Sequence, residues 1–193
     1  MKVSQAARQQ SRVFGIEEKG AAVAADATPT TPASFDREWF VEQLASRTAH
    51  ELDFWWSRWK VETIRALAYD CHPWHGGIGL CLLTSREDFP EETYGKWALG
   101  DWRLQDFTSS IGAEGWPAAK DLGQLMLQYY DGETTTDTDL TPAERADVIF
   151  RCCAKALRNE KVAESLTRYQ LSSDFEFGVF DPDKSAGTNY CEL

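Results

Sequence analysis

The chain has 193 residues, of which 42% are apolar and 12% aromatic, and its 20 basic and 31 acidic residues leave a net charge of −11. A chain of this length hides roughly 70% of its unfolded surface, so a hydrophobic core forms without disulfide or metal staples. The acid surplus argues against nucleic-acid binding through a basic face. The longest strongly apolar stretch, Ile78 to Leu83, is interrupted by Gly79 and falls far short of the ~20 residues a membrane span needs.

Residues 20–34, GAAVAADATPTTPAS, are small, proline-bearing and nearly uncharged. They predict an N-terminal arm over residues 1–33 and a single domain over residues 34–193. The arm holds Lys2, Arg8, Arg12 and Lys19 against Glu17, Glu18 and Asp26, a net +1 that leaves −12 to the folded part. No apolar signal-peptide core opens the chain; the acid-free stretch to Ile16 suits a polar arm better than a transit peptide. The five cysteines, Cys71, Cys81, Cys152, Cys153 and Cys191, are odd in number and form no C-x-x-C pair. Reduced thiols and a cytoplasmic location are expected.

The first strong element spans Phe35 to Arg58, capped by Asp36 or Ser34. Trp39, Phe40, Leu44, Leu52, Trp55, Trp56 and Trp59 recur at near-helical spacing, so a long helix should pack on a sheet, with its tryptophans as core. Glu62–Asp70 and Gly77–Thr84 read as two strands of a hairpin around the loop CHPWHG. Ile64, Ala66 and Ala68 should share one face of the first strand. The second is apolar on both faces and is expected at the sheet centre. A short third strand is expected near Trp102–Phe107. Pro117 opens a helix through Tyr130, stopped by Gly132. Thr141, Pro142 and Glu144 form a capping-box start for a helix to about Arg158. A short helix over Glu160–Arg168 follows, then a strand over Ser173–Phe180 with Phe175, Phe177 and Val179 alternating. The sum is α+β: a mostly antiparallel sheet, with a long N-terminal helix and a C-terminal helical pair packed on it.

Two groups of side chains invite a chemical reading. Cys71, His72 and His75 sit in the CHPWHG loop, and thiolate and imidazole are zinc ligands, so a metal site or a metal-dependent hydrolase is one alternative. The plainer reading is a structured turn: Pro73 restricts the backbone, Trp74 packs, and the glycines allow the return. Cys71 beside His72 lacks a third group to orient a base, and no G-x-S-x-G, Walker or H-E-x-x-H pattern is present. The other group is acidic. Glu87, Asp88, Glu91 and Glu92 share one loop, Asp131, Glu133, Asp137 and Asp139 another, and Asp181 and Asp183 follow the last strand. With Trp97 and Trp102 nearby as anchors, the first cluster is a candidate docking surface for a basic protein.

The apolar strand ending in Thr-x-x-Glu (Gly79 to Glu87, GLCLLTSRE), the tryptophans after it (Trp97, Trp102), and the late helix leading to a phenylalanine-rich strand that ends in acids (Phe175 to Asp183) together resemble uncharacterised bacterial α+β domains of the toxin-immunity type. The likeness runs over residues 35–183. It implies inhibition of a basic toxin by direct binding. The leading expectation is therefore a non-enzymatic, cytoplasmic protein-binding domain with no cofactor. The alternatives are the zinc-binding loop and a small-molecule sensor with an aromatic pocket between the long helix and the sheet.

Overall fold

Local sequence signals set most of the element boundaries in the computed structural model, which describes residues 32–87, 96–108, 116–182 and 189–193. The chain separates into two units, Met1–Thr30 and Thr31–Leu193, and every described residue belongs to the second. The expected arm lies outside the described residues except for Pro32 and Ala33.

Helix α1 runs Arg37–Trp59. The Asp36 carboxylate accepts the backbone N–H groups of Glu38 and Trp39, both at 3.0 Å, and so satisfies two of the orphan donors of the first turn. Its inward row includes Phe40, Leu44, Thr48 and Leu52, and each large apolar member contributes roughly 1.5–3 kcal/mol by leaving water. Strand β1 (Thr63–His72) turns through a 3-10 segment, Pro73–His75, into β2 (Gly77–Thr84). Gly76 closes that turn with φ at 63°, a left-handed value that favours glycine. Helix α2 (Lys120–Asp131) ends at the left-handed Gly132. The capping box of Thr141 and Glu144 starts α3 (Pro142–Leu157), and Asn159 caps the short α4 (Glu160–Leu166). Strand β3 (Gln170–Val179) and a 3-10 turn, Tyr190–Glu192, complete the unit. No helix among the described residues is long and apolar enough to cross a membrane.

The fold is α+β, and its sheet has three strands in the order β2-β1-β3. Strands β1 and β2 form the expected antiparallel hairpin, from His72 opposite Gly77 to Ile64 opposite Thr84. Strand β3 runs parallel to β1, so the sheet is mixed. A parallel neighbour needs a long crossover, and the helices between β2 and β3 supply it. The central strand is β1; the expectation of a central β2 is corrected. Both faces of β2 are buried because each is covered, not because strands flank it. Its outer edge is closed by the following segment: the Leu82 N–H donates to Leu104 O at 3.1 Å and the Phe107 N–H to Leu80 O at 3.1 Å. The third strand expected over Trp102–Phe107 is reduced to that Leu82–Leu104 bridge.

A bulge between Ile64 and Ala66 also changes the faces of β1. Ile64 joins Leu67, Tyr69 and Cys71 in the core under the helices. Ala66 and Ala68 instead face a second, smaller core with Cys81, Leu83 and Trp102. On β3 four residues, Ser172 to Phe175, stand between the partners of Ile64 and Ala66, where β1 has only Arg65. An extra residue shifts the side-chain alternation by one, which a strict period of two does not anticipate. The free edge of β3 is stitched near its end by one side chain: Asn189 Oδ1 accepts the Val179 N–H at 3.1 Å and its Nδ2 donates to Phe177 O at 2.8 Å.

Candidate binding surface

Strand alternation separates the residues of the CHPWHG loop. Cys71 is 1% exposed and faces the helices, with its sulfur 3.6 Å from Met126 Sδ and 3.9 Å from Cys153 Sγ. His72 is the next residue along β1 and turns to the opposite face, where its Nε2 lies 3.0 Å from Asp70 Oδ1. This hydrogen bond holds the Asp70 carboxyl below the ordinary carboxylate value. His75 is exposed on the turn. The structure thus does not bring Cys71, His72 and His75 together, and no group of three or more His, Cys, Asp or Glu among the described residues is placed to hold a metal.

What the loop does is pack. The backbone of Gly76 presses on that of Gly123 in α2, so closely that a Cβ on Gly123 would sit 2.2 Å from Gly76 O. The Trp74 ring lies edge-on to Tyr130, with centroids 6.3 Å apart. All five cysteines are free and buried. Burial pushes the Cys81, Cys152 and Cys191 thiols up to about 12, and the Cys153 thiol is raised by its contact with Cys71 and by burial. These four are not nucleophiles at neutral pH, because the thiolate is the reactive form.

The acidic candidates fare unevenly. Asp88, Glu91, Glu92 and Asp183 lie outside the described residues. Glu87 is half-buried and is used structurally: its Oε2 accepts the Arg103 N–H at 2.9 Å. Trp102 is 3% exposed and belongs to the second core, with its indole N–H bound to Lys96 O at 3.0 Å. Trp97 lies half-buried against Trp102, Phe180 and Gly178. Both tryptophans cover the outer face of the sheet, where the exposed anchors of a docking surface were expected. Asp137 is tied to Arg37 and to the Tyr129 hydroxyl, and the Tyr129 and Arg37 hydrogen bonds hold its carboxyl below the ordinary value.

The last turns of α1, whose tryptophans the sequence reading assigns to the core, are only partly buried. Leu52 and Trp59 are buried there, but Phe54 is 66% exposed, and Val61, just past the helix, is 69% exposed. Phe54 and Arg58, four residues apart, share the outward row. On one flank Trp56 lies between two cations: the Lys60 ammonium is 4.9 Å and the Arg168 guanidinium 4.6 Å from its ring centroid. Its indole N–H donates to Arg168 O at 2.9 Å, and Arg168 pairs with Asp53 at 2.8 Å. On the other flank the Arg58 guanidinium lies 5.4 Å from the Trp55 ring and 4.8 Å from that of Trp59. Arg103, 5.7 Å from the Trp59 ring, is held by the buried Glu62 at 2.6 Å. Among the described residues Arg58 and Lys60 form no ion pair. Stacking fixes these cations in place, since each contact contributes about 0.5–1 kcal/mol at an exposed site. The result is an ordered surface of aromatic rings and cations around two exposed apolar side chains.

The signal was present in the run Phe54-Trp55-Trp56. Three successive helical residues sweep about 200°, so one helix face cannot bury them all. Compared with family models, curated proteins and solved structures, the chain matches none.

Proposed function

We propose that this chain is a non-catalytic protein-binding domain that docks its partner on the aromatic and cationic end of α1. One observation carries the reading: Phe54 and Val61 stand exposed among Trp55, Trp56, Arg58 and Lys60. Tryptophan and arginine around an apolar centre are the side chains that dominate interface energies, because they bury much area with little entropy to lose. The partner fits by setting an apolar anchor beside Phe54 and a carboxylate toward Arg58 or Lys60. The net charge of −11 favours approach of a partner of positive net charge only where salt does not screen it, and at the contact itself Arg58 and Lys60 call for an acidic patch on that partner. The narrower form of the proposal is the one the resemblance implies, an immunity-type inhibitor that holds a basic toxin.

The test compares the wild-type chain with a Phe54→Ser/Val61→Ser variant and with Trp56→Ala. Each is used to capture partners from its native lysate, and the captured protein is identified, produced and titrated calorimetrically. We expect a 1:1 complex that both variants weaken at least 30-fold, about 2 kcal/mol, the size of an interface hot spot. Equal affinity in wild type and both variants overturns the docking surface. Turnover of a substrate that disappears on deleting one side chain overturns the non-catalytic reading.

A further inference from the structure

At the other end of α1, ~30 Å from the docking surface by helix rise, a groove of about 740 Å³ opens between the first turns of α1 and the outer side of α3. That volume suits a small molecule. Arg151 and Lys155 of α3 line it, with Arg158 at the cap just past the helix end, and Arg37 faces them from α1. Like charges three and four residues apart destabilise a helix unless an anion lies between them. Two of the four cations are already matched. Arg37 pairs with Asp137, and Arg151 donates to Asp147 at 3.0 Å. Asp147 also accepts the Tyr190 hydroxyl at 2.6 Å, which fixes the ring beneath the Arg151 guanidinium, 5.9 Å from its centroid. Lys155 and Arg158 form no ion pair among the described residues. The acidic side chains that line the groove are both on the α1 wall: Glu38, and Glu42, which Lys161 neutralises. Leu193 adds its exposed side chain and α-carboxylate at the far rim, where it forms no ion pair with Lys155 or Arg158 among the described residues. The α3 wall is therefore positive in a chain that is otherwise strongly acidic, and Val41, Val148 and Tyr190 add apolar surface beside it.

We propose that this groove binds a small amphipathic carboxylate, with its head group on Lys155 and Arg158 and its apolar body against Val41, Val148 and Tyr190. The site is independent of the protein-docking surface and stands if that surface fails. The net negative charge repels anions at distance, but at physiological salt the screening length is about 8 Å, so the local cations decide.

The probe is decanoate, titrated into the full chain by calorimetry, with decyltrimethylammonium as the control of equal tail and opposite charge. We expect decanoate to bind 1:1 and the control to give no saturable heat. Lys155→Gln/Arg158→Gln, two exposed positions, should weaken decanoate at least tenfold with an unchanged circular dichroism spectrum. Val148→Trp, which fills the apolar wall, should abolish binding; if it unfolds the chain, the glutamine pair decides alone. The proposal is overturned if decanoate fails to saturate by about 1 mM, if the glutamine pair binds it as well as wild type, or if the cationic control binds equally.

Discussion

Thr48 and Tyr69 join α1 to the central strand through hydroxyl groups that are both fully buried. Thr48 Oγ1 has one proton and donates it to Leu44 O at 2.8 Å. Tyr69 must therefore be the donor across the 2.5 Å separation of the two hydroxyls. That direction makes the pair unequal. Thr48→Val keeps the volume but leaves the Tyr69 hydroxyl a buried donor with no acceptor, a cost of about 1–3 kcal/mol. Tyr69→Phe removes the donor and leaves Thr48 still bonded to Leu44, a loss of about 0.5–1.5 kcal/mol. In the double variant neither orphan exists, so it should be no less stable than Thr48→Val alone. Urea unfolding followed by tryptophan fluorescence, at constant m, resolves these differences. In a domain of this size each 1 kcal/mol also moves Tm by about 2–4 °C. A Tyr69→Phe loss larger than that of Thr48→Val, or strictly additive single effects, would refute the assigned direction and the argument built on it.

Gly178→Ala should destabilise by about 1–3 kcal/mol, because the new Cβ would lie 2.3 Å from Trp97 Cζ3; an unchanged urea midpoint would mean that Trp97 does not cover the sheet. Gly123→Ala should act similarly against the Gly76 carbonyl, and its loss should exceed that of an alanine at the open Gly100, measured in the same titration. Trp59→Phe should cost less than a typical large-to-small core change, since the buried Trp59 indole N–H has no hydrogen-bond partner to lose; a penalty above about 3 kcal/mol counts against that reading. Stability should also fall in alkali. Thiols raised from 9.0 to about 12 stabilise the fold fully below 9.0 and lose that contribution as pH climbs toward 12, so the urea midpoint should drop from pH 8 to pH 10.5; a flat profile contradicts the buried placement of Cys81, Cys152 and Cys191.

Features decided within a few residues were legible in the sequence. The Asp36 cap, the Thr141–Glu144 box, the Gly132 stop and the hairpin all rest on local hydrogen bonding, and each stands where the residues indicate. Features decided across the chain were not. The pattern of Phe175, Phe177 and Val179 marks a strand but does not say that it joins β1 in parallel. An apolar β2 reports cover on both faces, which the segment carrying Trp97, Leu99 and Trp102 supplies as well as a flanking layer of helices would. The bulge beside Arg65 moves Ile64 to the other face, and nothing in the alternation of the strand announces it. At the level of sites, Cys71 and His72 attracted a metal reading because they are neighbours in sequence, yet neighbours on a strand point apart. The tryptophans of α1 do pack on the core, Trp59 buried and Trp39, Trp55 and Trp56 half-buried against it; what their spacing does not announce is that Trp55 and Trp56 also hold cations on their outward sides.

The Asn189 amide that closes the last rungs of β3 has a consequence for behaviour in concentrated solution. A sheet margin with open N–H and C=O groups recruits the same margin of another molecule and seeds fibrils. Here a single carboxamide imitates the missing neighbour, accepting at Val179 and donating at Phe177. Exchanging it for leucine of comparable bulk would strand the buried N–H groups of Val179 and Cys191 as well as open the margin, so a lowered melting temperature and turbidity on standing should appear together.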